Sequence, residues 1–214
     1  MNGIRILAAC EESQAVTIAF RAKGFEAYSC DIQECSGNHP EWHIQGDVTE
    51  VLNDRWDAII AFPPCTYLTN ASAVRMRVKG DIVEERYNKM ILAREFFLQF
   101  YEHPCKHIAI ENPVPMRICN LPKYNQIIQP YEYGHPYSKR TCLWLKGLPL
   151  LQPTCIIERH EPYINGGCKD KYGNYRRFQG RRERDQKTRS KTFAGIAQAM
   201  AEQWGNYLLN NIDK

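Results

Sequence analysis

Short apolar runs alternate with stretches of helical periodicity through the first two thirds of the chain. Arg5 to Cys10 is a short apolar run; Ser13, a residue suited to cap a helix, then precedes Val16, Ala19 and Phe20 on one helical face, with Gly24 where a helix-ending glycine belongs. Glu26 to Cys30 reads as a second strand ending at Asp31, Trp56 to Phe62 as a buried strand ending at Pro63-Pro64, and His107 to Ile110 as another ending at Glu111-Asn112. Val83, Tyr87, Met90, Ile91, Phe97 and Tyr101 recur at helical spacing before Pro104 and predict a long crossover helix. Gln126 to Ile128 and Thr141 to Leu145 have the character of further strands, and Phe193, Ile196, Met200, Trp204 and Leu208 form the apolar stripe of a closing helix.

Strands alternating with crossover helices imply an α/β fold, a mainly parallel sheet with helices on both faces. In open sheets of this kind, ligands bind outside the carboxyl ends of the strands. The chemically capable residues gather at those expected ends: Cys10-Glu11-Glu12, Asp31, Asp47, Pro63-Pro64-Cys65 and Glu111-Asn112. One composite site is the economical reading.

Composition narrows the class. A chain of 214 residues, 43% hydrophobic and 24% charged, is expected to make one domain with at most an appendage. No run approaches the ~20 apolar residues of a membrane span, and the start of the chain lacks a signal-peptide pattern, so a cytoplasmic protein with no membrane partner is expected. Nine Cys, an odd number scattered from Cys10 to Cys168, fit thiol chemistry or ordinary small residues better than a disulfide framework.

Charge is unevenly spread. Lys169 to Lys191 carries ten Lys or Arg against three Asp or Glu, a net +7, in a chain whose total is +4. Tyr172, Tyr175 and Phe178 interleave with the charges, and several glycines break any helix, so the stretch reads as a loop that follows phosphates and stacks on bases, with Arg176, Arg177, Arg181 and Arg182 as nucleic-acid contacts. The competing reading is a solvated loop. The expected organisation is thus a catalytic core at 1–149, a short basic insertion at 150–191 and a closing helix at 192–214.

Pro63-Pro64-Cys65-Thr66, after a buried strand, sets a thiol on a rigid turn facing a ligand site. At an ordinary pKa of about 8.5 a thiol holds little thiolate at neutral pH, so a nucleophilic Cys65 needs a cationic neighbour, for which the chain offers Lys139 and Arg140. This Pro-Pro-Cys, followed 46 positions later by Glu111-Asn112 after another apolar strand, resembles the Pro-Cys and Glu-Asn motifs of the DNA cytosine carbon-5 methyltransferases, and the chain looks like the short, often phage-encoded branch of that family. The resemblance covers about residues 4–149 and again 190–208, with Phe193 to Ala199 in the place of the last cofactor-side motif. It implies a Rossmann-like S-adenosylmethionine-dependent fold, S-adenosylmethionine as cofactor and DNA as partner. Asp31 is similar to the family's ribose-binding acid, Gly46-Asp47-Val48 to its Gly-Asp step near the adenine, and Lys139-Arg140-Thr141 to its Arg-containing motif that contacts the target base and backbone.

The implied roles are chemically coherent. Adding a thiolate to carbon 6 of cytosine turns a poor carbon-5 nucleophile into an enamine. An acid at ring nitrogen 3 and a cation at oxygen 2 lower the barrier, which casts Cys65 as nucleophile, Glu111 as acid and Arg140 as the oxygen-2 or phosphate contact. Cys10, Glu11, Asp31, Asp47 and Pro63 are the candidate cofactor contacts; Thr66, Asn112 and Lys139 join the basic residues on the substrate side. An exocyclic amino-methyltransferase would need a hydrogen-bond acceptor before Pro63, where this chain has Phe62.

Two departures from the family pattern keep alternatives open. No glycine occurs between Gly3 and Gly24, where the family has a glycine-rich cofactor turn, which leaves open a catalytically idle nucleic-acid-binding protein. Only about forty residues separate the Arg motif from the last helix, which leaves open a free pyrimidine nucleotide or RNA as substrate. Cys30, Cys35, His39 and His43, with four, three and three residues between them, come near zinc patterns without matching one, and no metal is expected.

Overall fold

The computed structural model describes residues 3–163, 166–169, 174–178 and 189–212. In chain order the main elements are β1 (Arg5–Ala9), α1 (Ala15–Ala22), β2 (Glu26–Asp31), β3 (His43–Gln45), α2 (Val48–Val51), β4 (Ala58–Ala61), α3 (Glu84–Glu102), β5 (His107–Pro113), β6 (Gln126–Ile128), β7 (Thr141–Lys146) and α4 (Ala194–Asn211). The strands form one seven-stranded sheet in the order β3-β2-β1-β4-β5-β7-β6. β3, β2, β1, β4 and β5 run parallel, and β7 runs antiparallel between β5 and β6. The fold is Rossmann-like: strand order reverses between β1 and β4, opening a crevice at their carboxyl ends.

Alternation along the strands builds two cores. Ile6, Ala27, Ile60, Ala109 and Leu143 face one side, where Val16 and Phe20 of α1 and Ile196, Met200, Trp204 and Leu208 of α4 cover them. Leu7, Ile59, Ala61, Ile110 and Trp144 face the other, against Met90, Phe97 and Phe100 of α3. Tyr101, expected on the inner stripe of α3, is 41% exposed. Phe100 fills that place, edge-on to Phe96.

The closing helix is docked by its backbone. A Cβ on Gly195 would lie 1.9 Å from the Tyr133 carbonyl oxygen, so only glycine permits this approach. The Gly195 amide donates to His135 Nε2 at 3.0 Å, satisfying one of the free N–H groups of the first helical turn. Burial lowers the His135 pKa from its ordinary 6.5, which keeps the ring a neutral acceptor.

Two outcomes follow from this docking. Gly195→Ala, although alanine favours a helix by roughly 1 kcal/mol, is expected to lower the unfolding free energy by about 1–3 kcal/mol through overpacking; an unchanged urea midpoint overturns the close approach. Because the folded-state pKa of His135 is depressed, its contribution is complete above the ordinary 6.5 and is lost as pH falls below it. The stability difference between pH 8 and pH 5 should therefore shrink in His135→Gln relative to wild type.

Candidate active site

The turn after β1 makes its bends without glycine. Cys10 and Gln14 both adopt left-handed backbone, at φ 59° and 57°. Gln14 is the capping position of α1 and makes no side-chain cap bond, while Ser13 Oγ accepts from the first helical amide, Ala15, at 3.4 Å. The helix amides of Val16 and Thr17 donate instead to Glu11, at 2.6 and 3.1 Å, and the Thr17 hydroxyl adds a third bond at 2.8 Å. Glu11 thus caps the start of α1. Both its oxygens are held by the start of α1, and burial pushes its carboxyl up to about 7.

Gln14 fixes the β2–β3 loop over this turn. Its amide donates to the His39 carbonyl at 2.8 Å and accepts from the His39 amide at 3.1 Å, while Ser36 N–H donates to the Glu12 carbonyl. At the mouth stand Asp31 and Asp47. Asp31 Oδ1 accepts from the Gln33 amide at 2.9 Å. Asp47 caps α2 through Thr49, which holds its carboxyl below the ordinary range. Cys10 lies within the field of both acids and of Cys30, and burial with these charges keeps it a neutral thiol.

Ile32, directly after Asp31, is 74% exposed, an apolar side chain held out beside an acid at a strand end. The sequence reading passed over it, although an aliphatic residue next to the strand-ending acid was the available signal. Three of the four residues with zinc-like spacing go to separate partners: Cys30 Sγ faces the Gly46 carbonyl, His43 bonds Ser29 and Gln33, and His39 stacks on Trp42.

The second half of the site lies beyond β4 and β5. Ala61 pairs with Ile110 in parallel register, so the turn carrying Cys65 leaves β4 beside the stretch of β5 that carries Glu111. Pro63 is buried and Thr66 exposed, and the Cys65 carbonyl receives the amides of Leu68 and Thr69 at 3.0 and 2.9 Å. Glu111 lines a narrow cavity with Lys139, Thr141, Lys191, Thr192 and Phe193. Burial raises the Glu111 carboxyl above its ordinary range, opposed by the Lys139 charge and a hydrogen bond from Thr141. Burial and the Glu111 charge raise the Cys65 thiol, opposed by Lys139 and Arg189.

Of the two adjacent cations, Lys139 lines the Glu111 cavity and Arg140 does not. Arg140 is exposed and its charge acts on Cys142, because the residue before Thr141 and the one before that point to opposite sides of the entering strand. Lys139 Nζ donates to the Arg189 carbonyl at 2.9 Å. Asn112 is fully buried, and neither atom of its amide has a hydrogen-bond partner among the described residues.

The basic stretch ends at this cavity. Tyr163 packs edge-on against Phe193, ring centroids 4.9 Å apart, and Arg189 returns beside Lys139 and Cys65. Arg176 and Arg177 lie in an antiparallel strand pair, Gly166–Lys169 with Tyr175–Phe178. Arg181 and Arg182 lie outside the described residues. Among the described residues no helix is long and apolar enough to cross a membrane.

The sequence matches no family model and no curated protein. Among solved structures the chain is similar to the Entamoeba histolytica methyltransferase EhMeth, with a TM-score of 0.47 and 15% identity over 74% of this chain and 57% of that one. It is also similar to the Dnmt2 methyltransferase of S. pombe, with a TM-score of 0.39 and 13% identity over 69% and 50% of the two chains. The chain thus spans about half the length of these structures.

The opposing fields on Cys65 predict the direction of its titration. With Glu111→Gln the raising charge is gone, and the midpoint of iodoacetamide alkylation at Cys65 should move to lower pH. With Lys139→Met it should move to higher pH. Unmoved midpoints in both variants would falsify the shared site.

Proposed function

We propose that this protein transfers a methyl group from S-adenosylmethionine to carbon 5 of cytosine in DNA, through a covalent adduct with Cys65. The observation that carries this reading is the joint electrostatic site of Cys65, Glu111 and Lys139, delivered from two adjacent strand ends and a third segment. A thiol, a carboxyl biased toward its protonated form and a cation are the three groups that addition to a cytosine ring requires.

The donor set suits S-adenosylmethionine. Asp31 has one oxygen engaged by Gln33 and a second for ribose hydroxyls; Ile32 offers an apolar surface for the adenine; Asp47 stands at the neighbouring turn. When bound, the cofactor supplies an electrophilic methyl on a sulfonium. The chain's own residues do the rest. Cys65 thiolate adds to carbon 6, Glu111 delivers its proton to ring nitrogen 3, and Lys139 steadies the charge growing at oxygen 2. After carbon 5 is alkylated, water takes its proton, the carbon 6–sulfur bond breaks with its electron pair returning to Cys65, and ring nitrogen 3 gives its proton back to Glu111.

Carbon 6 is shielded within a stacked duplex, so the base must leave the helix to meet Cys65. The basic stretch 169–191, whose carboxyl end lies at the cavity, supports a polynucleotide as partner.

Nucleoside mass spectrometry of host DNA and RNA after expression is the direct test. Wild type is expected to give 5-methylcytosine in DNA, Cys65→Ala none above background, and Glu111→Gln a rate reduced by about 10²–10⁴-fold. Modification confined to RNA moves the substrate and keeps the mechanism. No modified base in either polymer overturns the polynucleotide reading and favours a free pyrimidine nucleotide or a binding role.

A further inference from the structure

Lys191 precedes the closing helix and lines the Glu111 cavity, yet its ammonium reaches across the crevice to the other half of the site. Its Nζ donates to Ser36 Oγ at 2.9 Å. Ser36 belongs to the β2–β3 loop, and its own amide is bonded to the Glu12 carbonyl in the turn after β1. Gly37, next along, packs so tightly on Gln14 that a Cβ there would lie 2.6 Å from Gln14 Cβ. Lys191 is therefore held at the β1–α1 turn by a chain of short contacts.

The chemistry of that position is unfinished. A half-buried ammonium carries three donors, and this one has a neutral hydroxyl as partner. Among the described residues no carboxylate lies within 4.0 Å of it. An ammonium taken partly out of water without an anion is an anion site in waiting.

We propose that Lys191 binds the carboxylate at the methionine end of the methyl donor. The inference rests on S-adenosylmethionine as the donor and adds the residue that recognises its amino-acid part. With the ribose at Asp31 beyond β2 and the sulfonium beside Cys65 beyond β4, the remaining arm of the donor falls at the turn between them, which follows β1. A nucleic-acid phosphate is the other anion in play, but it approaches with the base from the β4–β5 side, where Lys139 stands. Ser36 and Glu12 lie on the β1–β2 side. The hydroxyl of Ser36 then keeps Lys191 aimed at the turn in the free protein and shares it with the carboxylate afterwards.

Calorimetry on the full chain separates the possibilities with two ligands, S-adenosylhomocysteine, which carries the carboxylate, and 5′-methylthioadenosine, which lacks the amino-acid end. Lys191→Met is expected to weaken S-adenosylhomocysteine about tenfold, the loss of one charge-assisted contact. It should leave 5′-methylthioadenosine within twofold, which also reports that the variant is folded. Lys191→Arg should recover most of the lost affinity. An equal loss for both ligands, or no loss for either, overturns the assignment while leaving the donor intact. Wild type that binds neither ligand overturns the donor itself and this assignment with it. Unchanged S-adenosylhomocysteine binding with weakened duplex binding in Lys191→Met reassigns the lysine to phosphate.

Discussion

Parallel register is the constraint on which the site depends. Ala9 pairs with Ala61 and Ala61 with Ile110, so the turns after β1 and β4 open side by side next to Glu111, along one edge of the sheet. In an antiparallel sheet those turns would alternate between edges, and Cys65 and Glu111 would stand a strand length apart. The register is held by burial on both sides. Each central strand sends successive residues into different cores, so a slip by one position would exchange the faces of Leu7, Ile59 and Ile110 with those of Ile6, Ile60 and Ala109.

Bringing a carboxyl and a thiol into the same partly dry space couples their protons. Negative charge on Glu111 opposes thiolate at Cys65, and a proton on Glu111 removes that opposition. The state in which the acid is ready to donate is thus also the state in which the thiol ionises most readily. Lys139 favours the negative form of both groups, which keeps the pair from settling as two neutral acids.

Strand positions and their ends were legible in the sequence because two-sided burial writes continuous apolar runs, as at Trp56 to Phe62 and His107 to Ile110. Cys65 and Glu111 followed from those ends. Direction within a turn was not legible: Lys139 and Arg140 are adjacent cations, and which one faces Glu111 is set by the strand that begins at Thr141. The hold of Glu11 on α1 was not legible for a related reason, since an acid near a helix start can serve a ligand or the helix's own amides, and only geometry shows the bonds to the amides. Lys191 and Arg189 were absorbed into a count of basic residues, where their separate placement beside the cavity left no trace.

The turn after β1 carries a wider consequence. Left-handed backbone at a non-glycine residue costs roughly 1–2 kcal/mol, and here Gln14 offsets that strain through an amide anchored on His39 from both its ends. The first strand-to-helix turn of such a sheet can therefore be written in side chains that lock a conformation, where other chains use residues that merely allow it. A pattern spelled in glycines passes over such a turn. The transferable signature is conformational: two left-handed residues four apart, with a buried carboxylate between them gripping the first amides of the helix that follows.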